Sequence, residues 1–185
     1  MVNTNFTDFP ILYTERLILK EITDKDAPVL FEMRRDPEIM KYIGRPIPKS
    51  IDDIYELIQK MEMMKSKGEG ISWGIFKKEN PDLKIGNIGL YRIIAEHYRA
   101  EVGYMLNTGN YQQGIMFEAI QKVIEYGFKE MNLHSIEANI NPENTASRKL
   151  LEKAGFVREA YFKENFYFNG KFTDSEIYSL LNGAG

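Results

Sequence analysis

The sequence predicts a single α+β domain in which helices cover a central mixed, mostly antiparallel sheet. Three observations lead to this fold class: strand-like and helix-like segments alternate along the chain, three successive strand-like segments occupy its middle, and an aromatic hairpin follows near its end. The chain has 185 residues, of which 43% are hydrophobic, so it is long enough for one sizeable core and too short for two ordinary domains. We therefore expect one domain over residues 1–185.

The first part of the chain contains one strand and two helices. The segment from Arg16 to Ile22 alternates apolar and polar residues, which predicts a strand. A capping-box pattern at Thr23 starts a helix that runs towards Arg35. A second such pattern at Ser50 starts an amphipathic helix that ends at the Lys67–Gly68 break.

The rest of the chain returns to strands before and after its longest helix. Residues 71 to 106 contain the segments ISWGIFKK, KIGNIGLYRII and AEVGYML, which predict an antiparallel meander. Apolar residues on one face predict a helix from Gly114 to Lys129, which a short strand from Ser135 to Ile140 follows. A helix from Thr145 to about Lys153 leads to a final hairpin, whose Asn169–Gly170 turn is typical of type I′.

Charge and residue counts exclude several classes of function. The formal net charge of −3 supplies no basic field, so we expect no direct nucleic-acid binding. The absence of cysteine excludes a disulfide framework and a covalent acyl-cysteine intermediate, and with only two histidines we expect no metal site. No signal-like start and no spanning apolar run is present, so we expect a cytoplasmic protein without membrane association.

A candidate anion site lies between residues 106 and 117, where a strand, a turn and a helix start follow in succession. The first amides of a helix have no intrahelical partners and carry partial positive charge, so backbone donors alone can hold a pyrophosphate. Gly114 would allow its close approach. The alternative is that Gly114 only eases a turn.

Six segments of the chain, in order, carry a family resemblance: TERLIL, IGNIGL, AEVGYML, GIMFEA, NPENTASRKLLEKAGF and FNGKFTDSEIYSLL. Together they resemble the GNAT superfamily of acetyl-CoA-dependent N-acetyltransferases, particularly its RimJ/RimL branch of ribosomal-protein N-terminal acetyltransferases. The resemblance covers nearly the whole chain. It implies a GNAT-like domain with acetyl-CoA as co-substrate and no metal.

The resemblance also implies which residues hold the cofactor. The family's Gln/Arg-x-x-Gly-x-Gly/Ala loop maps onto Tyr111 to Met116, where only Gly114 fits the pattern. The pantetheine arm is expected along a splayed strand at Tyr104, Met105 and Leu106, and Asn144 is expected to contact this arm. Because the pyrophosphate is held mainly by backbone amides, its expected partners are Gln112, Gln113, Gly114, Ile115, Met116 and Phe117.

Asn144 and Ser147 have two compatible interpretations. Local chemistry alone predicts that Asn144 caps a helix, with Ser147 at its third position. The resemblance implies that Ser147 protonates the departing CoA thiolate. Many GNAT enzymes use a tyrosine one turn later, but Leu151 occupies that position here, which favours Ser147.

The general base has two main candidates. Glu101 lies on the AEVGYM strand near the expected acetyl group, whereas Glu164 lies in the last hairpin. The RimL-like pattern places a glutamate at the position of Phe166, two residues from Glu164 and so on the same face of a regular strand. Glu137 is a third choice, and each of these carboxylates is equally compatible with a solvated strand position.

The combined reading is acetyl transfer to a primary amine by direct attack in a ternary complex. The resemblance favours the N-terminal α-amino group of a protein, such as a ribosomal protein. One alternative is a small amine such as a polyamine or an aminoglycoside, and another is a non-catalytic CoA-binding regulatory module. A homodimer is left open as the assembly.

Overall fold

One sheet of eight strands runs through the protein in a computed structural model that describes residues 1–183. In chain order the strands are β1 (Leu12–Tyr13), β2 (Leu17–Glu21), β3 (Ile71–Lys77), β4 (Asn80–Ile94), β5 (Arg99–Leu106), β6 (Ser135–Ile140), β7 (Val157–Phe168) and β8 (Lys171–Leu181). Their order across the sheet is β1-β2-β3-β4-β5-β6-β8-β7, and in the described part of the chain only β5 and β6 pair in parallel. The predicted mixed, mostly antiparallel sheet is confirmed. Residues 184 and 185, the end of the expected domain, lie outside the described residues.

Helices cover both faces of this sheet. They are α1 (Ala27–Arg35), α2 (Pro37–Met40), α3 (Asp52–Ser66), α4 (Ile115–Lys129) and α5 (Thr145–Lys153). Helices α1, α2 and α3 cover one face and bury Leu30 and Ile54, whereas α4 and α5 cover the other face and bury Ile120 and Leu151. None of these helices, all within residues 1–183, is long and apolar enough to cross a membrane.

Local signals place most of the helix starts, and the structure has one α-helix more than expected. The predicted start at Thr23 is a short 3₁₀ turn, Asp24–Asp26, that leads into α1. Pro37 ends α1 and also begins α2, because proline at a first helical position leaves no amide unpaired. The side chain of Asp36 caps α2 by accepting a hydrogen bond from Glu38 N at 2.9 Å. Neither α2 nor the two-residue β1 was predicted, since both are too short to show a hydrophobic period.

The final hairpin turns at Asn169 and Gly170, as the sequence predicts. Their φ angles are 49° and 77°, which is the pair of positive angles that a type I′ turn requires. Phe168 and Lys171 pair directly across it. The turn therefore fixes the register at the start of β8, and β7 becomes the outermost strand of the sheet.

Candidate active site

The parallel pair β5 and β6 separates part of the way along its length. Pairing runs from Arg99 opposite Ser135 to Glu101 opposite Glu137 and stops there, although β5 continues to Leu106. The main-chain groups of residues 102–106 that face β6 therefore have no strand partner on that side. Tyr104, Met105 and Leu106, the predicted pantetheine-binding residues, lie on this free edge. We call the space between the two separated strands the opening.

The predicted pyrophosphate loop leads from the end of β5 into α4. Gly114 is the N-cap of α4 with φ of 74°, and Gln112 also has a positive φ, of 59°. The first helical hydrogen bond runs from Glu118 N to Gly114 O at 3.0 Å. The amides of residues 115–117 come before it and therefore have no acceptor within the helix. The side chains of Ile115 and Met116 are buried in the core, which leaves only the main chain of these two residues to contact a ligand.

Arg16 joins this loop from the start of β2, a role that sequence reasoning missed. Its Nη1 donates to Gln113 O at 3.0 Å, and its Nε lies 2.7 Å from Glu118 Oε2. Burial opposes ionisation of Glu118, but hydrogen bonds from Thr14 and Arg16 outweigh it and hold the pKa of this carboxyl below its usual range. Arg16 thereby fixes the loop to α4 and places a positive charge beside Gly114.

The start of α5 lies across the opening from β5. Asn144 Oδ1 accepts from Ser147 N at 3.0 Å, which confirms the predicted cap. The hydroxyl of Tyr104 lies 3.2 Å from Ser147 Oγ, so the two side chains connect β5 with α5. Burial raises the pKa of Tyr104 to about 12, and the hydrogen bond with Ser147 opposes this only in part. The Tyr104 hydroxyl is therefore protonated at neutral pH and donates a hydrogen bond to Ser147, which its place in the sequence alone did not indicate.

A buried carboxylate anchors α5. Glu176 on β8 is 1% exposed and accepts from Arg148 at 3.1 and 3.2 Å and from Arg158 at 2.9 Å. Arg148, next to Ser147, also donates to Pro142 O at 2.8 Å. Two arginines satisfy the charge that burial would otherwise make costly, and the contact holds the first turn of α5 in place. Sequence reasoning missed this pair because its members are 28 residues apart.

The two main candidate bases lie in different surroundings. Glu101 forms an ion pair with Arg92 at 2.8 Å, at the last paired position before the opening. Tyr104 packs against the core on the α4 face, and because side chains alternate along a strand, Glu101 lies on the opposite face. Glu137, the third choice, is beside Glu101 across the pair and is bound by Arg99 at 2.9 Å.

Glu164 lies in an irregular part of β7. The register shifts between Phe162 and Phe166, and Glu164 has φ of 49°. Its amide donates to Asp174 Oδ1 at 2.8 Å, and its side chain is exposed. Glu164 was expected to share a strand face with Phe166 because side chains alternate along a regular strand, and the bulge removes the regular alternation on which this expectation depended. No group of histidine, aspartate and glutamate side chains suited to a metal occurs among the described residues.

Residues 16–157 match the family described as acetyltransferase (GNAT) domain. The chain is 37% identical over 173 residues to YoaA, an N-acetyltransferase of Bacillus subtilis (strain 168), with 94% of this chain and 97% of YoaA covered. It is 24% identical to the [ribosomal protein uS5]-alanine N-acetyltransferase of Escherichia coli (strain K12), covering 91% and 89%. It is 25% identical to the spermidine N(1)-acetyltransferase of Vibrio cholerae, covering 90% and 93%.

Solved structures show the same architecture. A GNAT-family acetyltransferase from Bacillus anthracis superposes with a TM-score of 0.81 at 30% identity, over 93% of this chain and 98% of that one. RimL, a ribosomal L7/L12 α-N-protein acetyltransferase solved with coenzyme A, superposes with a TM-score of 0.86 over 95% and 100% of the two chains. At 19% identity, the likeness to RimL concerns the fold alone.

Proposed function

The chain belongs to the GNAT family of acetyltransferases, and from this premise we propose that it acetylates the N-terminal α-amino group of a protein. The observation that carries the proposal is the opening between β5 and β6, with the Tyr104–Ser147 pair on one face of β5 and Glu101 on the other. Acetyl-CoA, the co-substrate of this family, supplies the activated thioester. The direct attack of the amine needs no covalent enzyme intermediate, in keeping with a chain that has no cysteine.

The residues of the chain fit the two halves of the cofactor. The free edge of β5 presents main-chain groups to which the amides of a pantetheine arm can bond. The amides at the start of α4, with Gly114 in the left-handed conformation, form a cradle for a pyrophosphate. Arg16 adds a cation beside that cradle. In this proposal the chain binds the cofactor mainly through its backbone, so its departures from the family's loop pattern are tolerated.

The two proton transfers of the reaction take place on opposite faces of β5. Ser147 donates a proton to the departing sulfur, with the Tyr104 hydroxyl as its hydrogen-bond partner. Main-chain donors of β5 near Leu106 stabilise the oxyanion of the tetrahedral intermediate. The amine approaches from the face that carries Glu101, which takes up a proton directly or through water.

The surroundings of the candidate bases favour an α-amino group as the acceptor. Glu101 is neutralised by Arg92, and the exposed side chain of Glu164 makes no hydrogen bond or ion pair with another described residue. The two candidates are thus an arginine-paired carboxylate and a solvent-exposed one. An α-amino group has a pKa of about 7.7–8.0 and is partly neutral at physiological pH, whereas a lysine near 10.4 is almost wholly protonated. A weak base therefore suffices for a protein N-terminus.

Thiol-release kinetics with acetyl-CoA test the proposal. The acceptors are N-terminal peptides of ribosomal proteins, spermidine and an aminoglycoside, and mass spectrometry locates the acetyl group. We expect the peptides to give the highest kcat/KM, with the acetyl group on the α-amine. A clear preference for spermidine would replace this function with that of the Vibrio cholerae relative. Coenzyme A binding without thiol release from any acceptor would indicate a regulatory module.

A further inference from the structure

One cation on the α1 face of the sheet forms no ion pair with any residue that the structure describes. Arg34 lies in the last turn of α1, half-buried, and its Nε is buried without a hydrogen-bond partner. Within residues 1–183, no hydrogen bond or ion pair joins its guanidinium to another side chain or to the backbone. A buried guanidinium N–H without a partner is unfavourable, and the guanidinium is a donor set suited to an anion that the described residues do not provide.

The charges around Arg34 make this region more positive still. Burial lowers the pKa of Arg34, and the charge of Arg45 acts in the same direction against the opposing effect of Tyr91. Lys84, also within electrostatic range, is 1% exposed, and its Nζ reaches only Met33 Sδ at 3.9 Å.

The carboxylates named by contacts on this face are already engaged with groups other than Arg34 and Arg45. Asp26 acts on Lys84 but is itself the acceptor of hydrogen bonds from Thr23 N and Oγ1. Glu101 is paired with Arg92. Asp26 keeps its charge and offsets Lys84, so within residues 1–183 it is Arg34 and Arg45 that are left without a carboxylate partner on the face from which the amine would approach.

Tyr91, which lies within electrostatic range of Arg34, relates this guanidinium to the reaction centre. Tyr91 on β4 is opposite Glu101 in the sheet, and its ring packs over Gly103, where an added Cβ would lie 3.2 Å from Tyr91 Cε2. Gly103 is two residues beyond the point where β5 and β6 separate. Arg34 therefore lies on the acceptor side of the opening.

The segment that follows α2, which contains Gly44 and Arg45, borders the acceptor side of the opening; we call it the wall. Gly44 packs so tightly against the ring of Phe166 that an added Cβ would lie 2.6 Å from its Cε1. This contact joins the segment to the β7–β8 hairpin, and Arg45 follows directly. An acceptor held between the wall and β5 would meet two guanidinium groups.

We propose that Arg34, together with Arg45, binds a carboxylate of the acceptor, so that the enzyme selects a protein N-terminus with an acidic residue close behind its α-amino group. This inference rests on the proposed function and names its substrate class. The planar guanidinium matches a carboxylate in a bidentate geometry. A polyamine would bring further positive charge to a region that already holds Arg34, Arg45 and Lys84.

Matched peptides test the inference. Each pair shares its length and N-terminal residue and carries either Asp or Asn at position two, three or four. For the wild-type enzyme we expect kcat/KM to be about 10-fold higher for the Asp peptide of at least one pair, and the difference to shrink as salt is raised. Arg34→Gln should remove the difference by lowering kcat/KM for the Asp peptide alone. Arg34→Lys, which keeps the positive charge, should retain part of the difference.

The control variant is Arg35→Gln. Arg35 follows Arg34 on α1, is exposed and lies 5.1 Å from the centre of the Phe31 ring, so its loss removes one positive charge from the same turn without removing the partly buried guanidinium. It should keep the Asp preference. The affinity for acetyl-CoA and the melting temperature are measured for every variant, and both should match those of the wild type.

Two failures are distinguishable. If the wild-type enzyme acetylates the Asp and Asn peptides equally, the anion site is wrong and the proposed function stands. If no peptide is acetylated while spermidine is, the proposed function is wrong and the inference falls with it. Should Arg34→Gln not fold, the wild-type peptide pairs and their salt dependence decide the matter alone.

Discussion

The hydroxyls of Tyr104 and Ser147 belong to one hydrogen-bonded unit. A serine hydroxyl alone is a weak acid, and Tyr104, protonated at neutral pH, stabilises the negative charge that Ser147 develops as it donates its proton. We expect Ser147→Ala to lower kcat by about 10- to 10³-fold with little change in acetyl-CoA affinity. Tyr104→Phe should lower kcat as well, and the double variant should be no worse than the more damaging single one.

Steady-state kinetics with saturating acetyl-CoA measure these effects. Tyr126→Phe is the control, because Tyr126 packs edge-to-face on Trp73 away from α5. Fully additive losses in the double variant would show that the two hydroxyls act separately. If Ser147→Ala keeps full kcat while chemistry is rate-limiting, Ser147 is not the proton donor, and its role is structural, beside the Asn144 cap.

Lys84 lowers the stability of the fold at neutral pH. Burial lowers its pKa from 10.5 to about 8, with Asp26 opposing. Between these two pH values the unfolded chain binds more protons than the folded one, so the free energy of unfolding rises with pH in this window. Below pH 8 the penalty is fully present and amounts to about 3 kcal/mol.

The substitution Lys84→Met should therefore stabilise the protein at pH 7, by up to about 3 kcal/mol. The advantage should shrink between pH 8 and pH 10.5, as the wild-type lysine loses its proton in the folded state. Urea unfolding at a series of pH values measures the difference in the free energy of unfolding between variant and wild type. Lys171→Met, at an exposed lysine, is the control. A variant that is less stable than wild type at pH 7 would contradict the prediction.

Single residues were predictable from sequence only where their role is local. The Asn144 cap and the Gly114 helix start depend on neighbours within a few residues. Arg16, Arg34 and Glu176 gain their importance from partners or burial that the fold supplies, such as the bond of Arg16 to Gln113 O. The residues next to these three in the sequence give no indication of their roles.

At the scale of an element, the start of α4 is the part of the cofactor site that depends on one backbone conformation. Gly114 and Gly170 have φ angles of 74° and 77°, and an added Cβ meets only Arg16 Nη2 at 3.5 Å at the first and nothing within 4 Å at the second. Alanine should therefore destabilise both sites through backbone strain alone, by about 1 kcal/mol. Gly114→Ala should also weaken coenzyme A binding several-fold, because the cradle amides shift.

Gly170→Ala is the matched control for this comparison. It carries the same backbone strain in the distant hairpin turn and should leave the calorimetric dissociation constant of coenzyme A unchanged. Equal affinities for the two variants would mean that the α4 start does not hold the pyrophosphate. Ile115 is a poorer target, since its side chain is 2% exposed and its replacement would also disturb the core.

Elements bounded by strong local signals were predicted to the residue. Strand β6 runs from Ser135 to Ile140 and α5 from Thr145 to Lys153, as expected from the flanking Asn-Pro-Glu turn and Gly155. The irregular part of β7 around Glu164 was not predicted, although three successive polar residues, Lys163, Glu164 and Asn165, interrupt the alternation there. Its conformation depends on Asp174 of β8, which accepts the Glu164 amide.

At the scale of the whole molecule, the sheet order decides where the cofactor can bind. The lone parallel pair within residues 1–183 is also the place where two neighbouring strands part, and the helix that crosses between them, α4, begins at the end of β5. The free edge of β5 and the start of α4 are therefore adjacent, because the chain passes directly from the end of β5 into α4. The family resemblance predicted this arrangement; the hydrophobic pattern alone gave the elements without their order.

Binding of coenzyme A should be visible in hydrogen exchange as a local change at this junction. Among residues 102–106, the amides that face the opening have no strand partner in the free protein, whereas residues 99–101 already pair with 135–137. A ligand that bonds to the free edge should slow exchange in 102–106 and in 112–117, and should leave β2 and β3 almost unchanged. Exchange measured by mass spectrometry with and without coenzyme A gives the map. Uniform slowing across the whole sheet would indicate only global stabilisation, and protection confined to other segments would place the cofactor elsewhere.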